Sequence, residues 1–131
     1  MRAPYALAAG LIACALLGSR SLRAQEIVMS QFSERSGEEI FRNICQGCHM
    51  PDARGATGAG TYPALAGNRK LAAAVYPVTV LLHGQRAMPT FADSLDDEQI
   101  ASVLNYVRSH FGNRYRDRIE PEMVRRIRAA R

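Results

Sequence analysis

Two cysteines and a histidine stand together in the first half of the chain. In the segment Cys45-Gln46-Gly47-Cys48-His49 the thiols are one helical turn apart and the imidazole follows directly. Two thiols at this spacing can each add to one vinyl group of a porphyrin, and the adjoining imidazole then meets the iron. The spacing is typical of covalent c-type haem attachment. We therefore predict one haem c, bound through Cys45 and Cys48, with His49 as a ligand of its iron.

Other uses of a cysteine pair leave part of this motif unexplained. A structural disulfide does not need the histidine that follows, and a thioredoxin-like redox pair needs a strand-rich context that the sequence does not suggest. A zinc site would need a second pair of ligands, and no second cysteine pair is present in the sequence. Haem attachment is the interpretation that uses all three residues.

A second axial ligand is expected, because an iron held by one histidine would bind small molecules instead of only exchanging electrons. Met88 is the preferred candidate. It lies in the predicted loop at residues 86–91, which Pro89 fixes, and a loop can carry a thioether over the iron without an intervening helix. We predict His49/Met88 axial ligation.

Four other side chains are candidates for the sixth ligand. Met50 adjoins the histidine of the motif and cannot reach the opposite face of the ring. His83 and His110 are placed near the ends of predicted helices, where the helix dipole favours a cation on the surface. A bis-histidine site that uses His83 stays open, and Met123 is the next thioether to examine if Met88 is not the ligand.

The first 24 residues have the pattern of a secretory signal. Arg2 supplies the positive start, and residues 6–17 form an apolar run without a charge. This run is too short to span a bilayer comfortably, which favours export and predicts no membrane span in the mature protein. A lipid anchor on Cys14 is the less favoured alternative, because the apolar run continues past it. We expect a periplasmic protein.

The basic charge of the chain is unevenly distributed. The formal net charge of +5 falls to +2 without residues 1–24. Residues 114–131 contain seven arginines and carry a net charge of +4, whereas residues 25–113 carry −2. Nucleic acid is not an expected partner, because a binder would present its basic groups on one face with stacking aromatics, and an exported protein rarely meets such a ligand.

Helical signals dominate the remainder of the sequence. Ser36 with Glu39, and Asp96 with Gln99, match capping boxes that open two helices. The second is amphipathic, with apolar residues at helical spacing. We predict helices from 36 toward 44, at 68–75, from Pro77 to Gly84, from 96 to Gly112 and from Pro121 to the end, with loops at 50–60 and 86–95.

The chain resembles the class I monohaem cytochromes c in its Cys45–His49 motif and its Met88-Pro89 pair. From Tyr62 to Arg128 it is also similar to the small cytochrome subunits or domains that serve periplasmic alcohol and aldehyde dehydrogenases. The arginine-rich C-terminal extension departs from the pattern. The matching segments are Tyr62-Pro63-Ala64-Leu65-Ala66-Gly67-Asn68, Met88-Pro89-Thr90-Phe91, and the run from Asn105-Tyr106-Val107-Arg108 to Phe111-Gly112-Asn113.

The resemblance implies an all-α, class I cytochrome c fold of three to five short helices wrapped around one haem. It implies that the first and last core helices cross, with Gly37 and Phe41 meeting Leu104 and Tyr106 or Val107. It also implies that the Pro63 carbonyl accepts a hydrogen bond from the second ring nitrogen of His49, which orients the ligand. Apolar side chains would wall the haem pocket: Tyr62, Leu65, Val80, Leu81 and Phe91.

We predict three parts: a signal peptide at 1–24, a cytochrome c domain at 25–113, and an arginine-rich, helical extension at 114–131. The domain would carry electrons rather than act as an enzyme, taking them from a dehydrogenase and passing them to a terminal oxidase or another cytochrome. Alternatives are a small-ligand sensor or peroxidase-like enzyme with a labile sixth ligand, and a structural or lipoprotein subunit. The extension would form a last helix from Pro121, with Val124 and Ile127 inward and its arginines outward. It would be either a solvated helix face or a segment that folds onto the domain or a larger dehydrogenase subunit, where Arg125, Arg126 and Arg128 meet acidic groups.

Overall fold

The computed structural model describes residues 31–130, and most of its ordered elements are helical. The expected signal peptide and Cys14 lie outside the described residues. Across residues 31–130 no helix is both long enough and apolar enough to cross a membrane. The helical elements are α1 (Gly37–Ile40), a π-helical turn (Phe41–Cys45), α2 (Gln46–His49), a 3-10 helix (Arg69–Ala72), α3 (Val75–His83), α4 (Asp97–Ser109) and α5 (Pro121–Ala129).

The first three of these elements follow one another without a break. Ser36 and Glu39 form the predicted capping box, since the Ser36 amide donates to the Glu39 carboxylate and the Glu39 amide donates to the Ser36 hydroxyl, both at 3.2 Å. In the π turn the Gln46 amide donates to the Phe41 carbonyl, five residues earlier. Such a turn inserts one extra residue into a helix. The inserted residue rotates the segment that follows, so the Cys45–His49 motif faces a different direction from α1.

α1 crosses α4 at a glycine. A Cβ at Gly37 would lie 2.2 Å from the Ser102 carbonyl oxygen and 2.6 Å from the Tyr106 Cβ. Only a residue without a side chain allows the two backbones to approach this closely. The Phe41 and Tyr106 rings pack beside the crossing, with their centroids 5.9 Å apart. The expected crossing of the first and last core helices is therefore present, with Ser102 as an additional contact.

The bounds of three predicted helices differ from the structure. The predicted helix at 68–75 is a single 3-10 turn, Arg69–Ala72, which the Asn68 side chain opens by accepting from the Lys70 amide at 3.0 Å. α3 begins at Val75 rather than Pro77. Proline is tolerated there because the first-turn amides of a helix have no partner within it. α4 begins at its predicted capping box but ends at Ser109, three residues before Gly112.

The predicted loop at residues 50–60 is interrupted by the first strand of a small hairpin. β1 (Ala56–Thr57) pairs antiparallel with β2 (Thr61–Tyr62), so that Ala56 lies opposite Tyr62 and Thr57 opposite Thr61. Two-residue strands are too short for an alternating pattern to indicate them. The hairpin brings the chain back toward the end of α2.

The C-terminal extension packs on the domain. Ile119 and Val124 are 1% and 0% exposed. The Asn105 side chain on α4 donates to the Ile119 carbonyl at 2.9 Å and accepts from the Ile119 amide at 2.8 Å. The expectation that the arginines of α5 point outward is wrong for Arg128, whose side chain is 15% exposed and pairs with Asp97. The extension therefore completes the core. The core residues include Ile40, Phe41, Val78, Leu82, Leu95, Ile100, Val103, Ile119 and Val124.

Candidate haem site

Cys45 and Cys48 lie at the C-terminal end of the first helical segment, and both are free thiols. Cys45 is half-buried and Cys48 is exposed. Burial, assisted by the neighbouring Cys48, raises the pKa of the Cys45 thiol to about 12. The thiol at Cys45 is therefore neutral at physiological pH. The structure places the two sulfurs one turn apart on one helix, which is the arrangement that two attachment points on a single ring need.

His49 ends α2 and is 6% exposed. Its Nδ1 lies 2.9 Å from the Pro63 carbonyl oxygen, which is the hydrogen bond that the resemblance implied. Because a carbonyl only accepts, Nδ1 carries the proton and the Nε2 lone pair is left for a metal. The ring orientation and the tautomer are thus both set by Pro63.

Two features fix the segment that carries Pro63. A Cβ at Gly55 would lie 2.1 Å from the Tyr62 carbonyl oxygen, and Gly55 has a φ of 68°, so glycine is required at this close approach. The second feature is Asn113, a buried side chain that donates to the carbonyl of Leu65 at 2.9 Å and accepts from the amide of Asn68 at 3.0 Å. The loop that orients the imidazole is therefore held from both sides.

Met88 lies in a tightly bonded loop and packs against the core. Its amide donates to the Gln85 carbonyl and its carbonyl accepts from the Gln85 amide, both at 3.0 Å. Gly84, with a φ of 72°, lies close to this pair, since a Cβ there would be 2.8 Å from the Met88 carbonyl oxygen. The loop prediction at residues 86–95 is confirmed, and the backbone that presents the thioether is fixed.

The segment after Met88 is fastened to α3. The Thr90 hydroxyl donates to the Leu82 carbonyl at 2.8 Å, and the Phe91 amide donates to the Leu81 carbonyl at 2.8 Å. Both carbonyls belong to the last turn of α3, whose carbonyls have no partner within the helix. The loop therefore completes the helix end while it holds Met88.

The side chains predicted to wall the pocket differ in exposure. Leu81 is buried, and Leu65, Val80 and Phe91 are half-buried. Tyr62 is 41% exposed, which is high for a large apolar side chain. Partial exposure of this kind is expected of residues that a haem would cover. The site has two free thiols on one helix, an imidazole with a free Nε2 and a thioether in a fixed loop. These residues fit a haem c.

The remaining candidate ligands lie at the ends of α2, α3 and α4 and on α5. His83 and His110 are exposed at the ends of α3 and α4, as expected. The His110 ring stacks on Tyr106, with the centroids 4.1 Å apart. Met123 lies on α5 and packs against the core. Met50 directly follows α2, and it has a φ of 66°.

Arg108 and Asn113 lie in segments that match the resembled cytochromes, but the sequence motifs assign them no role. Arg108 is buried on α4, where its Nε donates to the Leu71 carbonyl at 2.9 Å and its Nη2 donates to Asp117 Oδ2 at 2.7 Å. It thereby ties the 3-10 helix and the extension to α4. Its burial could have been inferred from its position, because Arg108 follows Leu104 by four residues and therefore lies on the apolar face of the helix.

Comparison with known proteins places this geometry in a family. The family described as cytochrome c oxidase, cbb3-type, subunit III matches residues 33–107. The fructose dehydrogenase cytochrome subunit of Gluconobacter japonicus is 33% identical over 108 residues, covering 71% of this chain and 22% of that subunit. The cytochrome c subunit of alcohol dehydrogenase (quinone) from Gluconobacter oxydans (strain 621H) is 26% identical over 106 residues, with the same coverage of 71% and 22%. Cytochrome c6 of Diacronema lutheri is 35% identical over 83 residues, covering 59% of this chain and 95% of that protein.

The matched residues include the elements described above. Residues 33–107 contain the first helical segment, the Pro63 loop and the Met88 loop, and they exceed half of the chain. The chain spans about a fifth of the length of the two dehydrogenase subunits, so their whole activities are not transferred to it. Similarity to cytochrome c6 extends over nearly all of that small protein. The chain therefore belongs to the cytochrome c family, and its cofactor is a covalently bound haem c.

Proposed function

We propose that this protein is a periplasmic electron carrier in which Cys45 and Cys48 hold the haem and in which His49 and Met88 are the axial ligands. Electron transfer is the role of the family. The observation that carries the assignment of His49 is the hydrogen bond between its Nδ1 and the Pro63 carbonyl, at 2.9 Å. It prepares Nε2 for iron before any metal is bound.

The bound haem supplies a one-electron ferric–ferrous couple. The protein's part is to keep both ligands in place as the charge changes. Pro63 holds the imidazole, and the reciprocal hydrogen bonds with Gln85 hold the backbone of Met88. A thioether favours the reduced state more than a second imidazole does, which suits a carrier that accepts electrons from a dehydrogenase.

The partners are proposed from the relatives. Two of them are named as cytochrome subunits of a fructose dehydrogenase and of a quinone-type alcohol dehydrogenase, which supports a dehydrogenase as electron donor. A terminal oxidase or another cytochrome is the proposed acceptor. The periplasmic location rests on the signal-like sequence of residues 1–24.

A ferric absorption spectrum of the holoprotein tests the ligation. The wild type should show the near-infrared charge-transfer band that a sulfur ligand gives to ferric haem. Met88→Ala should abolish this band and open the iron to cyanide or carbon monoxide. Met123→Ala, which removes the thioether on α5, is the matched control and should keep the band.

Two outcomes would change the assignment. If the band persists in Met88→Ala, Met88 is not the ligand. If the wild type lacks the band and binds cyanide as readily as Met88→Ala does, the sixth position is labile and a ligand sensor or a peroxidase-like enzyme becomes the better description.

A further inference from the structure

Arg128 joins the C-terminal helix to the far end of the Met88 loop. Its Nε donates to Asp97 Oδ1 at 2.8 Å, its Nη2 donates to the Leu95 carbonyl at 3.0 Å, and its Nη1 donates to the Ala92 carbonyl. Both carbonyls belong to the turn that leads from the Met88 loop into α4. The planar guanidinium reaches the three acceptors with three separate nitrogens, whereas a lysine carries its donors on a single nitrogen.

The first and last residues of this turn are buried in the domain. The Leu95 amide donates to the Phe91 carbonyl at 2.9 Å, which closes the turn, and the Ala92 and Leu95 side chains are buried in the core. A buried carbonyl without a donor costs free energy. Arg128 supplies donors to two carbonyls in this turn, so the position of the turn depends on α5.

The loop is consequently held at three places. Gln85 binds the backbone of Met88 itself, α3 binds Thr90 and Phe91, and Arg128 binds the turn that follows. The first two contacts lie within the region matched by the family, residues 33–107, whereas Arg128 lies beyond it. The extension thus adds a further contact that holds the Met88 loop.

We propose that Arg128 is a positioning residue that determines how firmly Met88 stays on the iron. This inference rests on the proposed ligation by Met88. When Arg128 is replaced, the turn at 92–95 loosens and the loop can move the thioether away more easily. An added ligand then competes more successfully for the sixth position, although Met88 is still bound in the absence of that ligand.

A purely structural role would have a different signature. Arg125 also lies near Asp97, with its Nε 3.6 Å from Oδ2, so α5 keeps an ionic contact with the domain when Arg128 is changed. Asp97→Asn removes the charge of the ion pair and leaves the two carbonyl contacts of Arg128 in place. Comparison of Asp97→Asn with a replacement of Arg128 therefore separates the ion pair that anchors α5 from the hydrogen bonds that hold the turn at 92–95.

The test measures imidazole binding to the ferric holoprotein through the loss of the sulfur charge-transfer band. Thermal unfolding is measured in parallel. Arg128→Ala should retain the band without imidazole and bind imidazole about tenfold more tightly, since two hydrogen bonds to the turn are lost. Arg128→Lys, which keeps the charge, should also bind imidazole more tightly. Asp97→Asn and the exposed control Arg126→Ala should bind it like the wild type.

Each contrary result has a definite meaning. If Arg128→Ala and Arg128→Lys bind imidazole like the wild type while the melting temperature of Arg128→Ala falls, Arg128 only anchors α5 and the proposal is overturned. Equal tightening in Asp97→Asn would overturn it as well, because the ion pair would then be the cause. If the wild type itself lacks the sulfur charge-transfer band, the proposed ligation by Met88 is wrong. This result is obtained before any Arg128 variant is compared, so it is distinct from a failure of the proposal for Arg128.

Discussion

The backbone of Gly37 in α1 lies directly against the carbonyl of Ser102 in α4, so that a Cβ at Gly37 would be 2.2 Å from that oxygen. Alanine is normally preferred to glycine in a helix by about 1 kcal/mol. Here an added methyl group meets a backbone atom that cannot rotate away, and overpacking costs roughly 1–3 kcal/mol. We expect Gly37→Ala to lower the free energy of unfolding of the holoprotein by about 2 kcal/mol, the upper part of that range less the helical gain.

Denaturant unfolding gives the measurement, and Gly58→Ala is the control. A Cβ at Gly58 has no neighbour within 4 Å, and this position has no positive φ. The control should therefore be close to wild type. Equal stability of Gly37→Ala and Gly58→Ala would mean that the two helices can separate without cost.

Covalent attachment should be needed for folding. Much of the apolar composition is alanine, which buries little area, and the described domain has only about a hundred residues, so the core depends on the haem. Cys48→Ala, expressed in a periplasm that can mature c-type cytochromes, should lose covalent haem and most of the soluble protein. Haem staining of a denaturing gel and the yield of soluble protein measure both effects.

Gln46→Ala is the matched control for this experiment, because it alters the motif and leaves both thiols. It should retain covalent haem. A stable, well-folded Cys48→Ala protein without haem would show that the polypeptide builds its core unaided.

Local signals explain what could be predicted from the sequence. The capping boxes at Ser36 and Asp96 and the Cys45–His49 motif each depend on residues within four positions of one another, and the structure contains both capping boxes. The bonds of Asn113 to Leu65 and of Arg128 to Ala92 span 48 and 36 residues. No periodicity indicates such partners, because they are set by how the helices pack.

The same reasoning explains why the sequence left two interpretations of the extension open. Its seven arginines are typical of a solvated helix face, whereas Val124 and Ile127 favoured a segment that folds onto the domain. Ile119 and Val124 are buried, and Arg128 is held by acceptors that only the folded domain brings together. The sequence contained the apolar residues, but it did not show which surface they would meet.

Stability toward acid should depend on Asp117. Its Oδ2 lies 2.7 Å from Nη2 of the buried Arg108. This hydrogen bond is the largest effect on the pKa of Asp117 and lowers it; it outweighs desolvation, which raises the pKa, and the charge attraction of Arg108 adds a smaller lowering effect. A lowered pKa in the folded state means that the pair stabilises the fold above the unfolded pKa of about 3.9. That stabilisation is lost as the pH falls through the folded pKa.

Asp117→Asn tests this dependence, because it keeps the shape of the side chain and removes its charge. The free energy of unfolding of the variant should be lower than that of the wild type at neutral pH, and the difference should shrink as the pH falls below the unfolded pKa of about 3.9 toward the folded one. Asp93→Asn, at an exposed aspartate, is the control. A difference that stays constant with pH would rule out titration of Asp117 as its cause.

Electron exchange with the donor should depend on a basic strip formed where the extension begins. The Tyr115 hydroxyl donates to the Asn68 carbonyl at 3.2 Å, and the Asn68 amide donates to Asn113 Oδ1 at 3.0 Å, so the extension lies beside the loop that follows Pro63. Both segments carry exposed cations, and an acidic surface on the dehydrogenase would complement them. The residues of the basic strip are Arg69, Lys70, Arg114, Arg116 and Arg118.

Deleting residues 114–131 cannot test the basic strip, because the deletion would remove the buried Ile119 and Val124. Changing Arg114, Arg116 and Arg118 together to glutamine removes three charges and keeps the core. Exposed charges are screened over about 10 Å at roughly 0.1 M salt. The triple variant should therefore be reduced more slowly by its donor at low salt and should show a flatter salt dependence, with an unchanged haem spectrum.

A second triple variant supplies a control with the same loss of charge. Arg35, Arg42 and Arg54 each pair with a carboxylate of this chain, so their replacement by glutamine changes the net charge without touching the basic strip. Stopped-flow reduction at several ionic strengths compares the two variants. If steering depends on the basic strip, only the first variant loses rate and salt dependence. If both variants lose them equally, net charge alone steers the encounter, and if neither does, the basic strip is a solvated surface.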